Sequence, residues 1–169
     1  MILSKAELIA SLQKQVRLLL HLAGKIEPAA LDYRPTPKQR STIELLRYLT
    51  NMGPTLVRYA RGTQMDAAAV AEMIQAADAR DFEQTLAAIA AHGETYTALI
   101  SEMSDEDFRA ETKGFDGLPT TCGQFMVDHV LGQLAAYRMQ LFLYLKACGR
   151  EELGTRNLWA AMDAPVAAV

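Results

Sequence analysis

Apolar residues return every three or four positions over four long stretches of the chain, the period of an α-helix with one buried face. In the first stretch Leu8, Leu12, Val16, Leu19 and Ala23 make the stripe. In the second it is Leu45, Leu49, Met52, Leu56 and Tyr59, with Tyr48 on the flank. In the third it is Phe82, Leu86, Ile89, Tyr96, Ile100 and Met103. In the fourth it is Met126, Val130, Leu134, Tyr137, Leu141, Tyr144 and Cys148. Each stretch opens on a capping signal: Ser4-x-x-Glu7, Ser41-x-x-Glu44, Asp81-x-x-Gln84 and Thr121-x-x-Gln124. The first side chain can accept from a free N–H of the opening turn, and the later one can reach back. The spacing predicts helices over about residues 5–23, 42–61, 82–103 and 121–149, in a single domain spanning 1–169 with a tail at 150–169.

The connections read differently. Pro28, Pro35 and Pro37 hold the first one extended, with Leu31 and Tyr33 as anchors. Pro54, inside the second helix, predicts a kink or a break. Residues 62–80 form a long crossover whose alanine-rich middle predicts a short helix. Residues 104–119 hold Gly114, Gly117 and Pro119 and read mostly as loop. No stretch reads as a strand. The expected fold is therefore all-α: a four-helix bundle with a long crossover between helices two and three. Trp159, in the tail, is expected to pack back onto the body or onto a second subunit.

Composition narrows the function only slightly. Half the residues are hydrophobic, 22% are charged and the formal net charge is −3, ordinary values for a globular domain. Mild acidity without a basic stripe argues against nucleic acid. No apolar run reaches the length of a membrane span, and the charged N-terminus does not read as a signal peptide. Cys122 and Cys148 would sit roughly 39 Å apart on one helix and cannot bridge. A reducing cytoplasm is the expected setting.

The fourth helix carries the candidate chemistry. His129, Gln133 and Gln140 lie on the face that its stripe buries, whereas Gln124, Asp128, Arg138 and Lys146 fall on the opposite side. Buried polar groups need partners, so three in line imply a hydrogen-bond network, a pocket or a metal site. His92 sits at the edge of the third stripe, beside Thr85 and Tyr96, and reads first as a structural histidine and second as a further ligand. His21 projects away from its stripe and is expected in solvent. No P-loop, CxxC, HExxH or serine–histidine–acid set is present.

The segment RPTPKQRSTIELLRYLTNM, with its Arg-Pro turn, Ser cap and Glu-Leu-Leu, resembles the start of the second helix in the DinB-like family of four-helix bundles. That family also includes thiol-dependent transferases and the mycothiol-dependent maleylpyruvate isomerase. DHVLGQLAAYRMQLFLYLKACGRE and GTRNLWA are similar to its last helix and C-terminus. The resemblance implies a divalent metal, nickel or zinc, held by one histidine of helix two and two of helix four in an H-x-x-x-H arrangement. Here those positions are Tyr48, His129 and Gln133, so only His129 keeps the family's ligand type. A neutral amide is a weak ligand and a phenol must first lose its proton. The expectation is a degenerate metal site: Tyr48, His129 and Gln133 satisfying one another as a polar network or lining a metal-free pocket for a small molecule. The alternative is a metal-dependent thiol transferase or hydrolase with an unusual ligand set completed by water or His92. Leu131, Ala135, Met139 and Phe142, on the outer side of helix four, predict a homodimer through that helix.

Overall fold

The protein's computed structural model describes residues 3–63, 66–163 and 165. Helix α1 spans Lys5–Ala23 and α2 spans Thr42–Ala60, each opened by a capping box, Ser4 with Glu7 and Ser41 with Glu44. The connection between them holds a single 3₁₀ turn at Pro28–Ala30. The crossover contains α3, Ala67–Asp78, with Asp66 accepting from the Ala69 N–H at its cap. The third long stretch forms α4, Phe82–Ala90, and α5, His92–Ser101, interrupted at Ala91. After them come a short α6, Asp105–Arg109, and two paired strands, β1 at Glu111–Lys113 and β2 at Pro119–Thr121.

The hairpin corrects the expectation that no stretch forms a strand, in a segment expected to be mostly loop. Gly117 takes φ 78°, Asp116 Oδ1 accepts from the Leu118 N–H at 3.0 Å, and Gly114 N–H donates to Leu118 O at 2.9 Å. The turn chemistry closes the chain on itself, and Thr112 pairs with Thr120 across the ladder.

The fourth stretch is not one regular helix. α7, Cys122–Phe125, passes into a π-helical turn at Met126–Leu131, then into α8, Gly132–Ala147. Widening the hydrogen bonds to i→i+5 adds a residue, so the faces beyond it turn by about one position against a regular projection. Within α8 the spacing is regular, and Arg138, four residues after Leu134 and three before Leu141, shares their face. Expected in solvent, it is 1% exposed and lies on the buried stripe with Leu134, Leu141 and Leu145. Its guanidinium sits 4.5 Å from the ring centre of Trp159 in the last helix, α9, Thr155–Ala160. Nε and Nη1 of Arg138 have no hydrogen-bond partner among the described residues. Of the four residues expected on a dimer face, Leu131 and Phe142 pack against the core, Ala135 is half-buried and only Met139 stands open.

α9 packs back on α1 and α8, and it also corrects His21. That ring is half-buried, with Nε2 3.3 Å from Asn157 Nδ2 and 3.7 Å from Asp163 Oδ1. One apolar core joins the long helices, from Leu8, Leu12 and Leu19 to Leu45, Leu49, Ile89, Tyr96, Val130 and Leu141. Each large aliphatic side chain buried there contributes about 2 kcal/mol. Among the described residues no helix is long and apolar enough to cross a membrane.

Candidate functional site

Pro54 does not break α2. A proline lacks the N–H that would bond the carbonyl four residues earlier, which here is Thr50 O. His92 Nε2 lies 2.8 Å from that oxygen. A carbonyl can only accept, so Nε2 carries the proton and the ring is fixed as one neutral tautomer. Burial, the largest influence, pushes the pKa of His92 down, and the nearby Arg80 charge adds to it. Arg80 Nη1 in turn donates to Thr50 Oγ1 at 2.8 Å. His92 is thus held by the backbone of α2 and joins neither Tyr48 nor His129.

Tyr48 stands less than two turns before Pro54 and faces a cleft between α2 and α3. The cleft has a volume of about 580 Å³ and is lined by Tyr48, Met52, Leu56, Val70, Met73 and Ile74, with Arg40, Glu44 and Arg47 toward one end. Two backbone carbonyls fasten its walls: Asn51 Nδ2 donates to Met73 O at 3.0 Å, and Arg47 Nε to Arg80 O at 2.9 Å. The Arg40 guanidinium lies 4.0 Å from the centre of the Tyr48 ring. Arg40 has no carboxylate partner among the described residues, whereas Glu44 is taken by Arg34 at 3.0 Å. The backbone N–H of Ser41 and Arg34 hold Glu44 below the usual carboxylate range.

Gln140 acts here indirectly. Its Nε2 donates to Tyr144 Oη at 2.6 Å, and Tyr144 Oη donates to Arg40 O at 3.0 Å. That chain anchors the backbone of the residue which covers Tyr48. The Tyr48 ring also meets Tyr137 edge to face at 5.3 Å. Burial, with Tyr137 beside it, pushes the Tyr48 phenol up to about 12, so it stays protonated at neutral pH.

His129 belongs to a second aromatic group. Its ring lies 4.5 Å from Phe125 and 4.6 Å from Phe115, at the hairpin turn, and Phe125 touches Tyr59 at 5.4 Å. Tyr137, the contact of Tyr48, is eight residues beyond His129, about 12 Å further along the helix. Gln133 is half-buried between them and makes no side-chain hydrogen bond among the described residues. The expected hydrogen bonds among Tyr48, His129 and Gln133 are not formed. The antiparallel register of α2 against α8 sets Tyr48 level with Tyr137, and it sets Tyr59 near Phe125.

These positions do not fit an ion held by the family's three ligands. One imidazole packs between phenyl rings with no hydrogen-bond partner among the described residues, the phenol resists ionisation, and the amide is neutral. Among the described residues no three His, Cys, Asp or Glu side chains are placed to hold a metal. The Cys122 thiol, in the first turn of α7, is buried and pushed up to about 11. The cleft itself has no signature in the sequence, because nothing in the alanine-rich crossover says which helix it covers.

The same architecture is seen in a DinB-like protein of Bacillus subtilis, whose crystal structure superposes with a TM-score of 0.65 at 13% identity, over 88% of this chain and 96% of that one. No curated protein matches the sequence. The sequence profile of the DinB superfamily does, over residues 11–135, a span that runs from α1 through the crossover and the hairpin into the helix bearing His129. With most of the chain matched and the fold shared, this protein belongs to the DinB superfamily.

Proposed function

We propose that this DinB-superfamily chain works without the family's three-histidine ion and binds a small amphipathic anion in the cleft between α2 and α3. The observation that carries the reading is the Arg40 guanidinium over Tyr48 at the cleft's polar end, with no carboxylate of its own among the described residues. A cation stacked on a ring and free of a counter-charge is a receptor for a ligand carboxylate or sulfonate. Met52, Leu56, Val70, Met73 and Ile74 would take the apolar part of such a ligand. The volume of about 580 Å³ suits a small organic molecule. The phenol of Tyr48, kept neutral, donates or accepts a hydrogen bond and carries no charge of its own.

Titration with anilinonaphthalene sulfonate, an anionic apolar fluorophore, tests this reading. Saturable binding of one probe per chain is expected, weakened about tenfold or more by Arg40→Glu and by Ile74→Asp, both at exposed positions. Binding that ignores both substitutions, or no saturable binding, would remove the cleft from the account. The competing reading, a metal-dependent transferase or hydrolase with His129 as one ligand, requires a stoichiometric divalent ion.

A further inference from the structure

The charged side chains lining the cleft between α2 and α3 are Arg40, Glu44, Arg47 and Asp78. Two of them are engaged within the protein. Glu44 pairs with Arg34 at 3.0 Å and accepts from the Ser41 N–H at 2.8 Å. Arg47 donates through Nε and Nη2 to Arg80 O. The other two are open. Arg40 rests on the Tyr48 ring, and its guanidinium makes no hydrogen bond or ion pair among the described residues. The carboxylate of Asp78 likewise makes neither among the described residues, although it lines the same cleft.

The register of the two helices places these open charges together. Asn51 of α2 bonds to Met73 O of α3, and Arg47, four residues earlier, bonds to Arg80 O, seven residues later. The two helices therefore run antiparallel along the cleft. Asp78, two residues before Arg80, falls near the level of Arg47 and Tyr48. Arg40 covers Tyr48, so one free cation and one free carboxylate stand at the same end of the cleft, on opposite walls. They do not pair with each other, which leaves space for a head group between them.

Asp78 also stands where a carboxylate is unfavourable. It is the last residue of α3, at the negative end of the helix dipole, and no basic residue lies in that turn. A charge that breaks a local rule without a compensating partner is expected at a functional site. A plain acid would keep the contact with Arg40 but would be repelled by Asp78. A plain amine would meet the opposite difficulty. A head group with both charges answers both side chains. Beyond it, α2 rises about 12 Å from Tyr48 to Leu56, along apolar walls that suit an unbranched or branched aliphatic tail.

We propose that the ligand of this cleft is an apolar amino acid, its carboxylate on Arg40, its ammonium on Asp78 and its side chain against Met52, Leu56 and Ile74. The proposal rests on the cleft reading above and adds the second charge of the head group to it.

Displacement of anilinonaphthalene sulfonate by a matched pair of ligands tests it: hexanoate, and L-norleucine, which differs by an added ammonium. At neutral pH norleucine should displace the probe at about a tenth of the hexanoate concentration. Asp78→Asn keeps the size of an exposed side chain, and circular dichroism should show it folded. In that variant the preference should disappear, and hexanoate should bind more tightly than to the native chain, because the repelling charge is gone. Hexanoate binding the native chain as well as norleucine does would overturn the proposal. So would a preference for norleucine that survives Asp78→Asn. If the probe itself still binds in an Arg40-dependent way, either result leaves the cleft reading standing and removes only the amino acid. A probe that never saturates removes both.

Discussion

His92 Nε2 donates to the carbonyl oxygen of Thr50 at 2.8 Å, and Thr50 stands four residues before Pro54. A side chain from α5 supplies the hydrogen bond that the proline removes from α2. The helix therefore runs through Pro54 unbroken. Replacing His92 by alanine leaves that carbonyl buried and unpaired and also opens a cavity, a loss of about 2–4 kcal/mol. Pro54→Ala restores an N–H at the right place. In that background the loss on removing His92 should shrink by about 1 kcal/mol. Urea unfolding of the four proteins measures the coupling. Equal losses in both backgrounds would show that His92 acts through packing alone.

The same contact sets a pH dependence. Burial holds the pKa of His92 below its ordinary value near 6.5, so the unfolded chain takes up the proton first. Arg80 is the charged group that lowers it further. The stability tied to neutral His92 is complete above about pH 6.5 and is lost as pH falls from there toward the folded-state pKa. His92→Gln keeps an amide N–H for Thr50 and cannot titrate. Its thermal midpoint should fall less than that of the native protein between about pH 7 and pH 5. A native midpoint falling no more steeply than the variant's would contradict this.

Tyr96 lies against the other half of the Gly53–Pro54 step. A Cβ on Gly53 would stand 1.8 Å from Tyr96 Oη, so Gly53→Ala should destabilise by about 3 kcal/mol or lose the fold. The Tyr96 hydroxyl is buried and has no hydrogen-bond partner among the described residues. Tyr96→Phe should therefore be neutral or stabilising by about 1 kcal/mol, and it should rescue part of the Gly53→Ala loss. Denaturant midpoints of the two single variants and the double variant decide it. Tyr96→Phe costing more than about 1 kcal/mol would mean that the hydroxyl has a partner.

Arg138 makes a prediction of opposite sign to that of most buried residues. Its guanidinium is enclosed without a carboxylate among the described residues, with the Trp159 ring as its favourable neighbour. Burial pulls its pKa down, which reflects the penalty on the charge. Arg138→Met keeps the length and removes the charge, and a gain of about 1–3 kcal/mol is expected. Trp159→Ala should destabilise the native protein more than it destabilises Arg138→Met. A loss of stability in Arg138→Met would point to an anion or water bound at Nε and Nη1.

Much of the fold is legible because its signals are local. Ser4, Ser41 and Asp81 each form a capping box where an apolar period begins. What is not legible depends on geometry between elements. The π turn at Met126–Leu131 has no residue signature, and the docking of α9, which sets Trp159 against Arg138, cannot be read from the spacing within α8. The continuity of α2 through Pro54 depends on His92, distant by 42 positions. The hairpin does have a local signal, Gly114, Asp116 and Gly117 flanked by Thr112 and Thr120, but its strands are too short to show a period of two. At the candidate site, family position groups Tyr48, His129 and Gln133. Side-chain direction and antiparallel register instead set Tyr48 against Tyr137 and His129 against Phe125. Of the three, only Tyr48 faces the cleft.

The central claim is that this chain has left the family's ion behind and recognises ligands at Tyr48 and Arg40. Elemental analysis of protein purified without added metal tests it most directly. Nickel, zinc and iron together well below one ion per chain, unchanged in His129→Ala, is the predicted result. One divalent ion per chain, lost on His129→Ala, would contradict it.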